Sequence, residues 1–244
     1  MNITNRRLIA LLGLLSAAPV INHANELTGI EPAALKPISA QFETIECAEP
    51  CKKPKLSTWW MWRNPTQVEL KKVDAQTSEL WTWENGSANY QFLMHDEKKV
   101  IEYSTVDLKM LNIAVDSNKW EKISNLVLQK DLASMKKTSL KKQYHGLGLS
   151  QYNGHIDGIN AEIVWIEFLQ IPLQIVYFYP KHKTTINLLV VNTNSTTAVA
   201  TSVQTLNSYE RIDYADIGDM EHSALAKKWL SKAQDAPGIN SEHH

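Results

Sequence analysis

Ile163-Val164-Trp165-Ile166 and Ile175-Val176-Tyr177-Phe178-Tyr179 are the two stretches on which the reading of this chain turns. A strand with one wet face alternates apolar and polar residues. These two are apolar at odd and even positions alike, so both faces of that part of the sheet want cover. The pattern recurs more weakly at Ile186 to Val191, where Asn187 interrupts it, and at Trp59-Trp60-Met61-Trp62. Helices can cover one face. The simplest account of the other is a curved sheet closing around an apolar interior, which becomes a ligand cavity when the barrel is too large for its own side chains to fill.

Outward from these stretches the texture is mostly β. Segments at 40–46, 57–63, 66–73, 78–84, 89–95 and 98–104 carry aromatic and β-branched residues, with turn signals such as Asn64-Pro65 and Asn85-Gly86 between them. Short links imply antiparallel neighbours and hence a meander. Between Thr105 and Lys137 the period changes. Asp116 or Ser117 can cap a helix that places Trp120, Ile123 and Val127 on one face, and Asp131 can cap a second short turn carrying Leu132 and Met135. Strands resume at 138–145, 147–153, 160–169, 173–179, 184–192 and 199–212. A last helix, Met220 to Lys232, sets Met220, Leu225 and Trp229 on a common side. No internal repeat or low-complexity tract interrupts the pattern.

The N-terminus has the three-part form of a secretory signal: Arg6 and Arg7, an apolar run from Leu8 to Ala18, then small residues to Ala24. The run is about half of the ~20 residues that a membrane span needs. Cleavage falls after Ser16-Ala17-Ala18 or, the preferred choice, after Ala24. The expected organisation is a signal peptide at 1–24, a flexible leader at 25–38, one half-barrel domain at 39–234 and a disordered tail at 235–244, with no transmembrane segment once the signal is removed. No acidic residue precedes Glu26, so losing the two arginines takes the formal charge from -1 to -3. A weakly acidic protein lacks the basic footprint of a nucleic-acid binder. The expected location is the periplasm.

Five of the eight tryptophans fall between Trp59 and Trp83. Trp60 and Trp62 share one face of their strand, as do Trp81 and Trp83 of theirs, because side chains two apart point the same way. Such rings serve either as ordinary core and cross-strand pairs or as a ligand-facing wall with Trp165.

The run Trp62-Arg63-Asn64-Pro65, the strand Gln67 to Val73, and Glu79-Leu80-Trp81-Thr82-Trp83 with its turn together resemble the first meander of the periplasmic lipoprotein-carrier (LolA/LolB-like) superfamily. Trp165 and the break from Leu169 to Pro172 are compatible with it. The resemblance implies an incomplete antiparallel barrel with a helical lid over a cavity that accepts acyl chains. It also implies that Arg63, the match to an Arg that precedes a Pro in that family, helps hold the lid closed. Here Asn64 intervenes between Arg63 and Pro65, and the alternative for Arg63 is a surface residue at a strand end.

Cys47 and Cys51 are the only cysteines, and an exported chain favours their pairing as a local disulfide. The rival is a C-x3-C copper site resembling that of the SCO-type copper chaperones, with a remote His as third ligand. The eight histidines show no ligand spacing. Residues 213–221 concentrate oxygen ligands without matching a calcium loop; the plainer reading has Asp219 cap the last helix. Glu162 and Glu167 have odd separation and point to opposite faces. The lysines from Lys136-Lys137 to Lys141-Lys142 protect a strand edge or dock on anionic lipid. Nucleophile elbows, HExxH, P-loops and dinucleotide loops are absent from the sequence.

The expectation is an α+β fold: a curved antiparallel sheet forming an incomplete β-barrel, with helices covering the open side. The expected function is non-catalytic binding or carriage of a hydrophobic small molecule or lipid, without cofactor or metal, through Trp60, Trp62, Arg63, Trp81, Trp83 and Trp165. An envelope protein is a further expected partner. The alternatives are a structural or partner-binding accessory protein and, behind it, a copper or redox protein.

Overall fold

The computed structural model describes residues 35–193, 201–219 and 223–234, with the side chains of 218, 219 and 234 left aside. The expected signal peptide, the leader up to residue 34, Met220 and the tail lie outside the described residues.

Eleven strands follow one another as antiparallel neighbours across most of the sheet. They are β1 (Ile38–Ala48), β2 (Lys55–Asn64), β3 (Gln67–Lys72), β4 (Thr77–Glu84), β5 (Ser87–Met94), β6 (Lys99–Tyr103), β7 (Lys136–Tyr144), β8 (Leu147–Ile156), β9 (Ile159–Ile166), β10 (Ile171–Phe178) and β11 (His182–Asn192). A twelfth, β12 (Glu210–Asp213), lies parallel to β6. The order is β12-β6-β5-β4-β3-β2-β1-β11-β10-β9-β8-β7, so among the described residues β7 and β12 are the edges of the sheet and the barrel is incomplete. Irregularities at Gln41/Phe42, Leu140/Gln143 and Pro172/Gln174 bend the strands where they fall. Asn85 and Gly86, with φ of 54° and 77°, make the tight turn whose twist suits a hairpin.

Between β6 and β7 the chain forms α1 (Thr105–Met110), α2 (Ser117–Asn125) and α3 (Gln129–Ser134). Ser104 and Asp107 cap α1 reciprocally, a signal the sequence carried and the reading above passed over. Asp116 caps α2 as expected, and Leu126, at φ 67°, ends it. Asp131 does not cap α3; the position belongs to Leu128, which makes no side-chain capping bond.

The expected strand at 199–212 is corrected. Residues Val203–Asn207 form α4, capped by Ser202, and among the described residues of this stretch the strand is Glu210–Asp213. The expected last helix is two, α5 (Tyr214–Asp219) and α6 (Ala224–Gln234). Asp219 ends α5 rather than capping α6, whose cap is Ser223, accepting from the Ala226 amide at 3.4 Å. On α6 it is Ala226, Trp229 and Ala233 that are buried, while Leu225 is exposed.

One face of the sheet carries the main core: Ile38, Ala40, Phe42, Met61, Val68, Trp81, Tyr90 and Phe92 pack with Trp120 and Ile123 of α2, Leu108 of α1 and Trp229 of α6. A second cluster sets Ile163, Trp165, Ile175 and Tyr152 beneath Val127, Leu132 and Met135. The stretch that began the reading is buried on both parities. Ile163 and Trp165 face this second cluster, while Ile166, opposite Leu149 and Ile171 in register, is fully buried in the first. At β4–β6 the other face is covered as well, by Leu206 and Tyr209 lying on Leu80, Leu93 and Val100.

Candidate functional site

Alternation along β2 sends Trp59, Met61 and Arg63 to the helix-covered face, where Arg63 stands between Ile38 and Val68 of its neighbouring strands. Its exposure is 0%, so the reading of a surface strand-end residue is set aside. The guanidinium donates from Nη1 to the Ser124 carbonyl at 2.7 Å, to Asn125 Oδ1 at 2.8 Å and to the Gln170 carbonyl at 3.3 Å. Nη2 donates to the Leu169 carbonyl at 2.6 Å, and Nε to the Lys36 carbonyl at 3.2 Å. All five acceptors are neutral amide oxygens. Burial lowers the pKa of Arg63 to about 10, which leaves it a cation at neutral pH.

The acceptors come from three places that β2 does not otherwise join. Lys36 precedes β1, Ser124 and Asn125 end α2, and Leu169 and Gln170 form the turn between β9 and β10. A helix leaves its last carbonyls without intrahelical partners, and Arg63 takes one of them. Lys36 adds a second tie, its Nζ lying 4.3 Å from the centre of the Phe168 ring in the same turn. A single side chain therefore fastens the helical layer to two parts of the sheet.

The tryptophans divide by face. Trp81 is fully buried on the helix side, tilted on Tyr90 at 4.4 Å and covered by Lys119 of α2 at 5.4 Å; Trp83 packs at 5.8 Å on Trp120. Trp165 lies in the second cluster beneath Val127, Leu132 and Met135. Trp60 and Trp62 point to the opposite side of the sheet, where they stack on each other at 5.5 Å and are half-buried. Trp60 faces Gln41, which in turn faces the exposed Val190, so this pair does not join Trp81, Trp83 and Trp165 in one wall.

Among the described residues five buried side-chain polar atoms lack a hydrogen-bond partner: Ser124 Oγ, Asn125 Nδ2, Gln170 Oε1, Trp120 Nε1 and Tyr90 Oη. Three of them belong to residues that accept from Arg63, and Trp120 lies one helical turn before Ser124. Sequence reading missed this cluster. Two hollows stand out among the described residues. One, of about 10 Å3, lies by Trp59, Ser78 and Phe92; the other, of about 780 Å3, lies at the opposite end of β1 and β11, between the Cys47–Cys51 loop and Phe178, Tyr179, His182 and Lys183. No helix residue lines either.

Other ties hold the remaining cover. Glu97, in the turn after β5, accepts from Trp229 Nε1 at 2.6 Å, Lys232 Nζ at 2.9 Å and Lys228 Nζ at 3.1 Å, fixing α6. Chiefly through Lys232, these bonds hold the Glu97 carboxyl down at about 2. On the other face Glu69 accepts from the amide and hydroxyl of Thr201 at 3.0 and 2.7 Å, and His95 bridges Ser78 and Tyr209 at 2.5 and 2.9 Å. Burial lowers the His95 pKa to about 4, so the ring is neutral when it makes that bridge near pH 7.

Cys47 and Cys51 are joined as a disulfide with Cα atoms 5.2 Å apart, which uses both sulfurs that the copper reading needed as thiolates. No group of three metal-type side chains is assembled among the described residues. Asp213 accepts from the Ala215 amide at 2.9 Å, a local turn at the start of α5. Lys136, Lys137, Lys141 and Lys142 lie exposed along the edge strand β7. Among the described residues no helix is long and apolar enough to cross a membrane.

No family model and no curated protein matches the chain. Among solved structures, PNGF-II is similar over 75% of this chain and 32% of its own, at 9% identity and a TM-score of 0.40, so this chain spans about a third of its length. A domain described as an outer membrane lipoprotein-sorting protein, from Vibrio parahaemolyticus, matches 70% of this chain and 89% of its own at 10% identity and a TM-score of 0.28. The LolA superfamily protein NE2245 from Nitrosomonas europaea matches 68% and 91% at 7% identity and a TM-score of 0.22. The chain thus resembles these lipoprotein-sorting and LolA-superfamily structures weakly, and at these values nothing further is drawn from the likeness.

Proposed function

We propose that this chain is an exported, non-catalytic binder or carrier of an apolar ligand, a lipid or acyl chain, acting in the periplasm. The ligand would be taken up on the helix-covered face of the sheet when α1–α3 move off it. The observation that carries this reading is Arg63: among the ties between α2 and the sheet, which include Lys119 over Trp81, it is a fully buried cation held by neutral oxygens alone, on the face that carries the main core. Hydrocarbon entering there gains about 25 cal/mol per Å2 of apolar surface removed from water, and it replaces packing that the helices now supply. Trp81, Trp83 and Trp165 would line its path; Trp60 and Trp62, on the other face, drop out of that wall.

A second reading, an accessory protein that binds a partner, draws on the packing between sheet and helices, where Trp120 and Ile123 of α2 join the buried core of the sheet. The exposed Leu189 and Val190 near the Trp60–Trp62 stack offer such a partner an apolar surface. Solvent extraction and native mass spectrometry of the purified chain separate the two. Carriage predicts a co-purifying lipid that leaves on extraction. A bare chain that also fails to take up added acyl probes would leave the accessory reading alone.

A further inference from the structure

We infer that the ligand carries an anionic head group and that Arg63 is its receptor, so that head-group binding and release of the helical cover are one event. This rests on the carrier reading above and names its ligand class.

Guanidinium groups make their strongest hydrogen bonds to carboxylates and phosphates, often two at once. Arg63 is fully buried and has neither, only five neutral oxygens at 2.6 to 3.3 Å. Burying a cation this way is costly unless it is well paired, so an incoming anion competes favourably for the same N–H groups. The surroundings point the same way. Of the five unpartnered buried atoms, Asn125 Nδ2 and Trp120 Nε1 are donors, Ser124 Oγ and Tyr90 Oη are hydroxyls with a proton to give, and only Gln170 Oε1 is purely an acceptor. The end of α2 beside Arg63 is thus rich in unused donors, whereas Tyr90, three strands further along the face, lies within reach of the buried Glu79 carboxylate. A head group with several acceptor oxygens fits those unused donors, and its tail would follow Trp120 and Tyr90 along the apolar face.

The coupling follows from counting partners. Each N–H that turns to the head group leaves a carbonyl of Ser124, Leu169, Gln170 or Lys36, and these are the atoms that hold α2 and the β9–β10 turn together. Anion binding therefore loosens the cover, and loss of the anion closes it.

The test compares dodecanoate, dodecyl phosphate and dodecanol, which share one tail, as competitors of the neutral fluorophore N-phenyl-1-naphthylamine on the purified chain. One or both anions should bind at least about tenfold tighter than the alcohol, a factor in the range of charge-assisted hydrogen bonds, and the tighter of the two tells carboxylate from phosphate. The decisive variant is Asn125→Asp, which keeps the shape of α2 and sets a resident carboxylate beside Arg63. It should abolish the preference for anions, so that dodecanoate, dodecyl phosphate and dodecanol compete with similar strength, and it should raise the melting temperature. Equal binding of anions and alcohol by the unaltered chain, or an undiminished anion preference in Asn125→Asp, would overturn the head-group inference and leave the carrier reading standing. Failure of all three probes and of the fluorophore to bind would remove both.

Discussion

Helices α2 and α6 lie against one sheet, yet the chemistry that fastens each is opposite in kind. At α2 a buried cation from the sheet reaches neutral oxygens of the helix end, apart from the solvent-facing pair that Lys122 of the helix makes with Asp157 at 3.7 Å. At α6 a carboxylate from the sheet receives two lysines and a tryptophan, with side-chain exposure of 18% for Glu97 and 57% for Lys228. The second arrangement is an ordinary surface fastening that water and salt already weaken. The first is shielded from both, and only a group able to replace its oxygens can undo it. The difference teaches where movement would be regulated: a ligand controls α2, whereas solution conditions control α6.

The comparison breaks most severely at Arg63. Arg63→Leu strands the carbonyls of Lys36, Ser124, Leu169 and Gln170 and should lower stability in denaturant unfolding by about 1–3 kcal/mol for each that stays buried and unpaired, the largest loss among these variants. The same variant should expose Trp120 and shift its emission to the red. Normal stability with unshifted emission would mean that the packing of α2 suffices without Arg63.

Glu97→Gln is the smaller counterpart. It retains an oxygen for Trp229 but loses the charge for two partly exposed lysines, so we expect about 1 kcal/mol and a melting temperature lower by roughly 2–4 °C. The pH dependence has a definite sign. Glu97 has its pKa lowered from 4.5 to about 2, so its contribution is complete above pH 4.5 and is lost as pH falls toward about 2. Arg63 does not titrate in that range: burial lowers its pKa from 12.5 to about 10, so its charged form persists through acid and neutral pH. Hydrogen exchange should therefore show the amides of α6 opening between pH 4.5 and 2.5 before those of α2, and simultaneous opening would erase the distinction between the two fastenings.

How much of this was readable beforehand depends on which atoms did the work. Strand texture and the apolar run at 163–166 gave the curved sheet and the need for cover, because burial on both parities is written in side chains; at 175–179 the same pattern overstated it, since Ile175 is buried but Phe178 is exposed. Spacing placed Trp60 with Trp62 and Trp81 with Trp83, but not which face each pair takes; that depends on register with Phe42 and Val68, which is a property of the assembled sheet. Arg63 entered only through a family resemblance. Four of its five acceptors are main-chain carbonyls, which leave no mark on residue type, so the fastening could not be seen in Ser124, Leu169 or Gln170. The short helix at Val203–Asn207 was mistaken for strand because Val203 and Leu206 are apolar residues at an interval that a brief segment shows in either form.

The most direct test of the account is the distance between α2 and the far part of the sheet. Spin labels at the exposed positions Asn118 and Glu162, introduced as Asn118→Cys and Glu162→Cys with the Cys47–Cys51 disulfide left intact, report it by pulsed electron resonance. The account predicts one closed distance for the free chain, lengthened by more than about 2 Å on saturation with dodecanoate and already lengthened in Arg63→Leu without ligand. A distance that stays the same with bound dodecanoate and in Arg63→Leu alike would contradict it.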